Sequence, residues 1–253
     1  MPRTRPKPCT SSIASAPGKP GSLAIELVHG FIHVAGYGGK TVVISATARA
    51  RRDDGEKAPP SGLKRIASAT SLNLTAEEKN NHVEILTESF AYPIDLTIKV
   101  PYNFSLKIST INQGDISVEN VAGELEVTKV NGPIQLRQVS GSAVVSTVNG
   151  NLTATFRSVT AGAPMAFSTL NGKVNMTFPG TVKAALKMKS DRGSVYSDFD
   201  MAVRRSVPNV TRSTQNGLNR VSTDDWTYGT VNGGGPEIMM KTMNGDIFLR
   251  QSN

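Results

Sequence analysis

Glu124 and Glu126 stand two residues apart in a stretch that alternates apolar and polar residues, and Asp115 lies near Glu119 in the half-repeat before it. On an extended strand, a two-residue spacing puts side chains about 6.6 Å apart on one face. Paired carboxylates in glycoside hydrolysis span roughly 5–9.5 Å, so the spacing permits acid and base work on a carbohydrate. The surroundings do not support it. Neighbouring outward positions are Thr128, Ser142, Val144 and Ser146, with no aromatic side chain to carry a sugar ring. The carboxylates therefore read as a solvated face. Glu119 and Arg137, eighteen residues apart, are placed to pair across the repeat, a contact worth about 0–1 kcal/mol when exposed.

Other chemistry is sparse. The imidazoles are His29, His33 and His82; the first two fall on a strand, turn and strand, where four-residue spacing aligns nothing, and no carboxylate stands at ligand spacing. No metal site and no cofactor is expected. The loop Gly36 to Thr41 looks superficially like a phosphate-binding loop, but Val34 occupies the place of its first glycine and a strand follows where a helix is needed. Cys9 is the only cysteine, which excludes an internal disulfide.

One irregular corner suggests a binding patch. At Ser190-Asp191-Arg192-Gly193 the position two before glycine, apolar in the preceding coils, is Asp191, and the usual asparagine is Arg192. With Tyr196 and with Arg204 and Arg205 of a basic stretch, these residues form the candidate binding set.

These side chains must be positioned by a repeat. Glycine returns every nine residues at Gly114, Gly123, Gly132, Gly141 and Gly150. Two places after each come Ile116, Leu125, Ile134, Ala143 and Leu152; four places after come Val118, Val127, Leu136, Val145 and Ala154; seven places after come Val121, Val130, Val139 and Val148. Apolar residues at alternate positions mark half-buried strands. Nine residues cannot hold a strand, a crossover helix and a return strand. Two such halves make an eighteen-residue coil, and stacking coils about 4.8 Å apart sets like residue over like. The expectation is an all-β, single-domain parallel β-helix, a solenoid with nine-residue half-coils and Asn-Gly corners. Asn131-Gly132, Asn149-Gly150, Asn171-Gly172, Asn232-Gly233 and Asn244-Gly245 supply those corners, since both residues tolerate positive φ. Stacked asparagines also offer an amide ladder. The corners lack the aspartate column of calcium-binding β-rolls.

Composition agrees. The chain has 253 residues, 23 glycines, 19% charged and 6% aromatic residues, a net charge of +8 and a pI near 9.7. A basic chain can meet an anionic polymer, but the repeat lacks the interleaved basic and aromatic residues of a nucleic-acid groove, so nucleic acid is not an expected partner. Residues 1–22, rich in Pro, Ser and basic residues, read as a disordered tail. They contain no apolar run of signal-peptide length, and no transmembrane segment follows.

Residues 23–253 read as the β-helix domain. A surface excursion at 48–70 carries Arg51-Arg52-Asp53-Asp54-Gly55 and Pro59-Pro60. Past Gly150 the coils lengthen to corners at Gly172 and Gly193, with Phe156, Phe178 and Phe199 in phase. Residues 200–225, with Arg204, Arg205, Arg212 and Arg220, read as a basic loop before Trp226 and Tyr228.

The phrases Ser109-Thr110-Ile111-Asn112, Ser146-Thr147-Val148-Asn149-Gly150, Ser168-Thr169-Leu170-Asn171-Gly172 and Lys241-Thr242-Met243-Asn244-Gly245-Asp246-Ile247 resemble those of a bacterial family of adhesin β-helix domains of unknown function, related to adhesin head domains. The resemblance runs from about Leu23 to the C-terminus and includes Asp95 to Pro101 and Gly233-Gly234-Gly235-Pro236. It implies a β-helix and brings no catalytic residues. It implies a place at the cell envelope or outside the cell; the missing signal leaves the cytoplasm as the other compartment.

The resulting expectation is a non-enzymatic, adhesin-like or envelope-associated scaffold that binds a protein or carbohydrate. The rival readings are a carbohydrate-active β-helix enzyme, a polysaccharide lyase or hydrolase, and a purely structural module of a larger complex.

Overall fold

The computed structural model describes residues 9–13, 19–49, 74–87, 93–112, 114–205, 209–215 and 218–252. The described chain is all-β. Its N-terminal part contains β1 (Cys9–Ile13), β2 (Gly21–Leu27), β3 (Ile32–Tyr37), β4 (Val42–Ala48), β5 (Leu74–Lys79), β6 (His82–Thr87), β7 (Ile94–Pro101), β8 (Phe104–Thr110) and β9 (Ile116–Glu119). The middle contains β10 (Ala122–Asn131), β11 (Ile134–Asn149), β12 (Leu152–Val159), β13 (Met165–Asn171), β14 (Val174–Pro179), β15 (Ala184–Ser190) and β16 (Val195–Ser197). The last part contains β17 (Ala202–Arg205), β18 (Asn209–Gln215), β19 (Leu218–Asp224), β20 (Thr227–Val231), β21 (Glu237–Asn244) and β22 (Ile247–Ser252).

Pairing is mostly parallel and joins residues one repeat apart. Leu125 lies opposite Ala143 and Asn131 opposite Asn149, while Ile134 lies opposite Ile116 on one side and Leu152 on the other. Strands therefore stack into two faces. Face A carries, in spatial order, β6, β2, β8, β10, the second half of β11, β13, β21 and β15. Face B carries β7, β3, β9, the first half of β11, β12, β14, β22 and β16.

Spatial order departs from chain order at both ends. The first coil, β2 and β3, lies between β6–β7 and β8–β9. The last coil, β21 and β22, lies between β13–β14 and β15–β16. This separates columns that are adjacent in sequence. Phe178 pairs in register with Gln251 of β22, so the expected phenylalanine stack stops there. Phe156 and Phe178 stack at 5.0 Å with Phe167 edge-on to both, and Phe199 is buried separately.

The apolar columns explain the interior. Side chains two and four places after each glycine, from Ile116 and Val118 to Leu152 and Ala154, are buried, and each burial contributes about 1.5–3 kcal/mol for a full Val, Leu or Ile side chain. Corner glycines answer to close approach between coils. A Cβ on Gly150 would fall 2.0 Å from the carbonyl oxygen of Gly132, and one on Gly172 would fall 2.0 Å from that of Gly150. At these two corners steric room, and not positive φ, excludes other residues.

Two expected irregular segments contain strands. Within residues 1–22, β1 pairs antiparallel with β4, Cys9 opposite Ala46; alternation over only five residues, without a glycine period, hid it. The expected loop at 200–225 contains β17, paired with β20, and a β18–β19 hairpin. Alternation of Thr and Ser with Val and Arg in that hairpin can form ladder hydrogen bonds without an apolar stripe. The expected excursion at 48–70 lies, beyond Arg49, outside the described residues.

Candidate functional site

The polypeptide turns at the end of each face A strand through three adjacent columns, each repeated from coil to coil. The inward column is polar. Thr147 Oγ1 donates to Gly132 O at 3.2 Å, Thr169 Oγ1 to Gly150 O at 2.9 Å, Thr242 Oγ1 to Gly172 O at 2.9 Å and Ser190 Oγ to Gly245 O at 2.7 Å. Each of these hydroxyls satisfies a corner carbonyl of the neighbouring coil.

Lys129 interrupts that column. It lies in register with Thr110 and Thr147, only 1% exposed. Its Nζ donates to Thr110 Oγ1 at 2.8 Å and to Asn112 O at 3.2 Å. Desolvation by burial pushes its pKa below the ordinary 10.5, and the charge of Asp115 opposes that shift. The alternation puts it in the inward phase of Leu125 and Val127, eighteen residues before Thr147; that phase was the signal in the sequence, and the expected candidate set left it out.

The next column is an amide ladder. Asn149 Nδ2 donates to Asn131 Oδ1 at 2.8 Å, Asn171 Nδ2 to Asn149 Oδ1 at 2.7 Å and Asn244 Nδ2 to Asn171 Oδ1 at 2.6 Å. Arg192 Nη1 donates to Asn244 Oδ1 at 3.4 Å and closes one end. Near the other end, Asn112 Nδ2 lies 3.5 Å from His29 Nε2.

Between these columns, side chains point outward and are aliphatic. Ile111 is 48% exposed, Val148 38%, Leu170 43% and Met243 37%, with half-buried Val130 between the first two. At about 4.8 Å per coil the ridge runs about 19 Å. Outward hydroxyls accompany it, for Thr128 lies opposite both Ser109 and Ser146, and Ser146 opposite Ser168. The sequence period treated Val130 and Val148 like Val121 and Val139. Only the last two are fully buried, because the two halves of a coil turn their corners differently.

The sequence-derived candidates divide among three places. Asp191 and Arg192 share the last corner, with Asp191 Oδ1 3.5 Å from Lys189 Nζ. Tyr196 projects from face B and stacks on Phe248, centroids 5.2 Å apart and planes 12° apart. Arg204 is on face A, opposite Tyr228. The side chain of Arg205 falls outside the described part of the chain. Tyr196 and Arg204 are thus carried by strands of different faces.

Glu126 pairs with Lys107 at 3.2 Å, and Glu119 with Arg137 at 3.4 Å. Glu124 lies beside them on the open sheet, where its backbone N–H donates to Ser105 Oγ at 3.2 Å. Among the described residues no group of His, Cys, Asp and Glu is arranged to hold a metal ion. No described helix is long and apolar enough to cross a membrane. A cleft of about 650 Å³ opens at the β16 end, lined among others by Met188, Phe199, Met201, Val203, Asp200 and Asp225.

Stacked parallel strands, inward hydroxyls bound to corner carbonyls and an external amide ladder define a class of all-β repeat protein in which each coil fixes the next. Within it, this chain belongs to the Toastrack DUF4097 family, whose model matches residues 102–250. No curated protein matches it. Two solved structures are similar to it. One is a candidate cell adhesion protein from Clostridium sporogenes, at 12% identity and a TM-score of 0.48, covering 97% of this chain and 100% of that one. Another is a candidate adhesin from Bacteroides fragilis, at 12% identity and a TM-score of 0.43, covering 98% of each chain.

Proposed function

We propose that the chain is a non-enzymatic, adhesin-like binding module of the cell envelope, and that it holds an extended carbohydrate polymer along the corner ridge. The observation that carries this reading is the row of Ile111, Val130, Val148, Leu170 and Met243 on successive stacked coils, exposed at all but half-buried Val130. Exposed apolar side chains scattered singly need no explanation, whereas a continuous row between polar rows marks a contact surface. Aliphatic side chains pack on the C–H faces of a sugar. The flanking Ser and Thr hydroxyls and the Asn amides supply donors and acceptors for its hydroxyl groups.

Rigidity favours such a ligand. Each side chain repeats at the coil spacing, so one contact positions the next and many weak contacts add along the polymer. The test is binding of the full chain to neutral and anionic polysaccharides, compared with a Val148→Ser, Leu170→Ser double variant. Binding that survives salt and falls about tenfold or more in the variant supports the ridge. Equal binding by both proteins rejects it.

A further inference from the structure

The two ends of the stack are finished differently. At the N-terminal end both faces continue past the outermost coil: β5 pairs with β6 on face A, and β4, then β1, extend face B from β7. At the C-terminal end face A continues through β20 and β17. Face B ends at β16, whose only described partner strand is β22.

The free edge of β16 can be read from its hydrogen bonds. Ile247 N–H donates to Ser194 O at 2.9 Å, and Asp198 N–H donates to Leu249 O at 3.2 Å. Backbone groups in a strand alternate sides from residue to residue. The N–H and C=O of Val195 and Ser197 therefore point away from β22, toward the place a further strand would occupy. Tyr196 lies on the outward surface with one ring face on Phe248 and the other toward the same place; it is 52% exposed. On the inward surface the edge borders the cleft of about 650 Å³, lined by buried Met188 and Phe199, by Met201 and exposed Val203, and by Lys189, Asp200 and Asp225.

We propose that the β16 edge is a docking site for an extended peptide strand of another protein, which adds to face B antiparallel to β16. Each strand that caps the stack directly elsewhere, β4 on β7, β5 on β6 and β20 on β15, runs antiparallel. The edge amides and carbonyls supply main-chain hydrogen bonds, and the two surfaces select alternate side chains. An inward apolar residue fills the cleft. A basic residue two positions along, on the same face, meets Asp200 and Asp225. An outward aromatic residue continues the stack of Tyr196 on Phe248. A saccharide could use the ring but not the run of backbone groups, so a peptide fits more of the site. The site is separate from the corner ridge and stands whether or not the ridge binds a polymer.

The experiment is selection of a random linear peptide library on the full chain, followed by amide exchange and edge variants. The expected peptides carry apolar and basic residues at alternate positions with an aromatic residue between them, and their binding slows exchange at the amides of Val195 and Ser197. Ser197→Pro removes an N–H that β22 does not use, and proline is tolerated on edge strands; it should weaken peptide binding about tenfold or more. Tyr196→Thr keeps strand propensity and should weaken the aromatic-containing peptides. Native circular dichroism of both variants serves as the folding control. The proposal is overturned if no peptide is selected, if selected peptides bind Ser197→Pro as tightly as the native chain, or if protection appears elsewhere. Loss of polysaccharide binding in the ridge variant with unchanged peptide binding separates this site from the ridge.

Discussion

Lys129 and Thr110 meet inside the stack, ammonium to hydroxyl at 2.8 Å, in a column that carries Leu27 in one coil and Thr or Ser in the others. The lysine thus buries a charge at a position that uncharged side chains fill in the other coils. Burial lowers its pKa below 10.5, with Asp115 acting in the opposite direction. The unfolded chain holds that proton more tightly than the folded one. Between the lowered value and 10.5, stability therefore climbs as pH rises; below that window both states are protonated and the full cost of burial is present. Urea titrations of the native chain and of Lys129→Met should show the native chain gaining relative to the variant as pH rises through the window. A difference that does not change with pH, or that changes with the opposite sign, contradicts this account.

The amide ladder predicts a gradient. Asn171 both donates to Asn149 and accepts from Asn244, so Asn171→Ala should cost about 1–2 kcal/mol. Arg192 makes one long bond at the end, and Arg192→Ala should cost less than about 0.5 kcal/mol. Chemical denaturation measures both; equal costs would mean that the ladder does not act as a chain of coupled bonds.

Two glycines separate close approach from backbone conformation. Gly172→Ala drives a methyl onto the Gly150 carbonyl and should cost at least about 3 kcal/mol or prevent folding. Gly162 has φ +80, and nothing lies within 4 Å of the place a methyl would take there; Gly162→Ala should cost about 1 kcal/mol. Comparable melting temperatures for the two variants would contradict the tight corner.

Much of the interior was legible because its cause is local. Ile116, Leu125 and Ile134 alternate with polar residues in a fixed phase, and alternation at a fixed period dictates which side chains face inward. The eighteen-residue separation of Asn131 and Asn149 is the register in which they pair. Coil order was not legible. Val174 and Val195 stand in phase, yet Ile247 lies between them, because any coil with the same pattern can fill that gap and only long-range packing decides which one does. Val148 keeps the outward phase of Val144 and Ser146, whereas Val139, seven places after its own glycine as Val148 is, is turned inward by the irregularity after Leu136, where Gln138 has φ 52. Chain proximity also did not show that Tyr196 and Arg204 belong to strands of different faces, face B and face A. Lys129 did carry a signal, the inward phase it shares with Leu125 and Val127, but its charge argued the other way and the structure shows which one wins.

The central claim is that the coils bind a polymer and do not cleave it. The most direct measurement incubates the full chain with neutral and anionic polysaccharides at low and high salt, recording bound protein and released reducing ends together. The account predicts salt-resistant binding, no release of reducing ends, loss of binding in the Val148→Ser, Leu170→Ser variant, and unchanged binding in a Glu124→Gln, Glu126→Gln variant. Release of reducing ends by the native chain that the glutamine variant abolishes would contradict it.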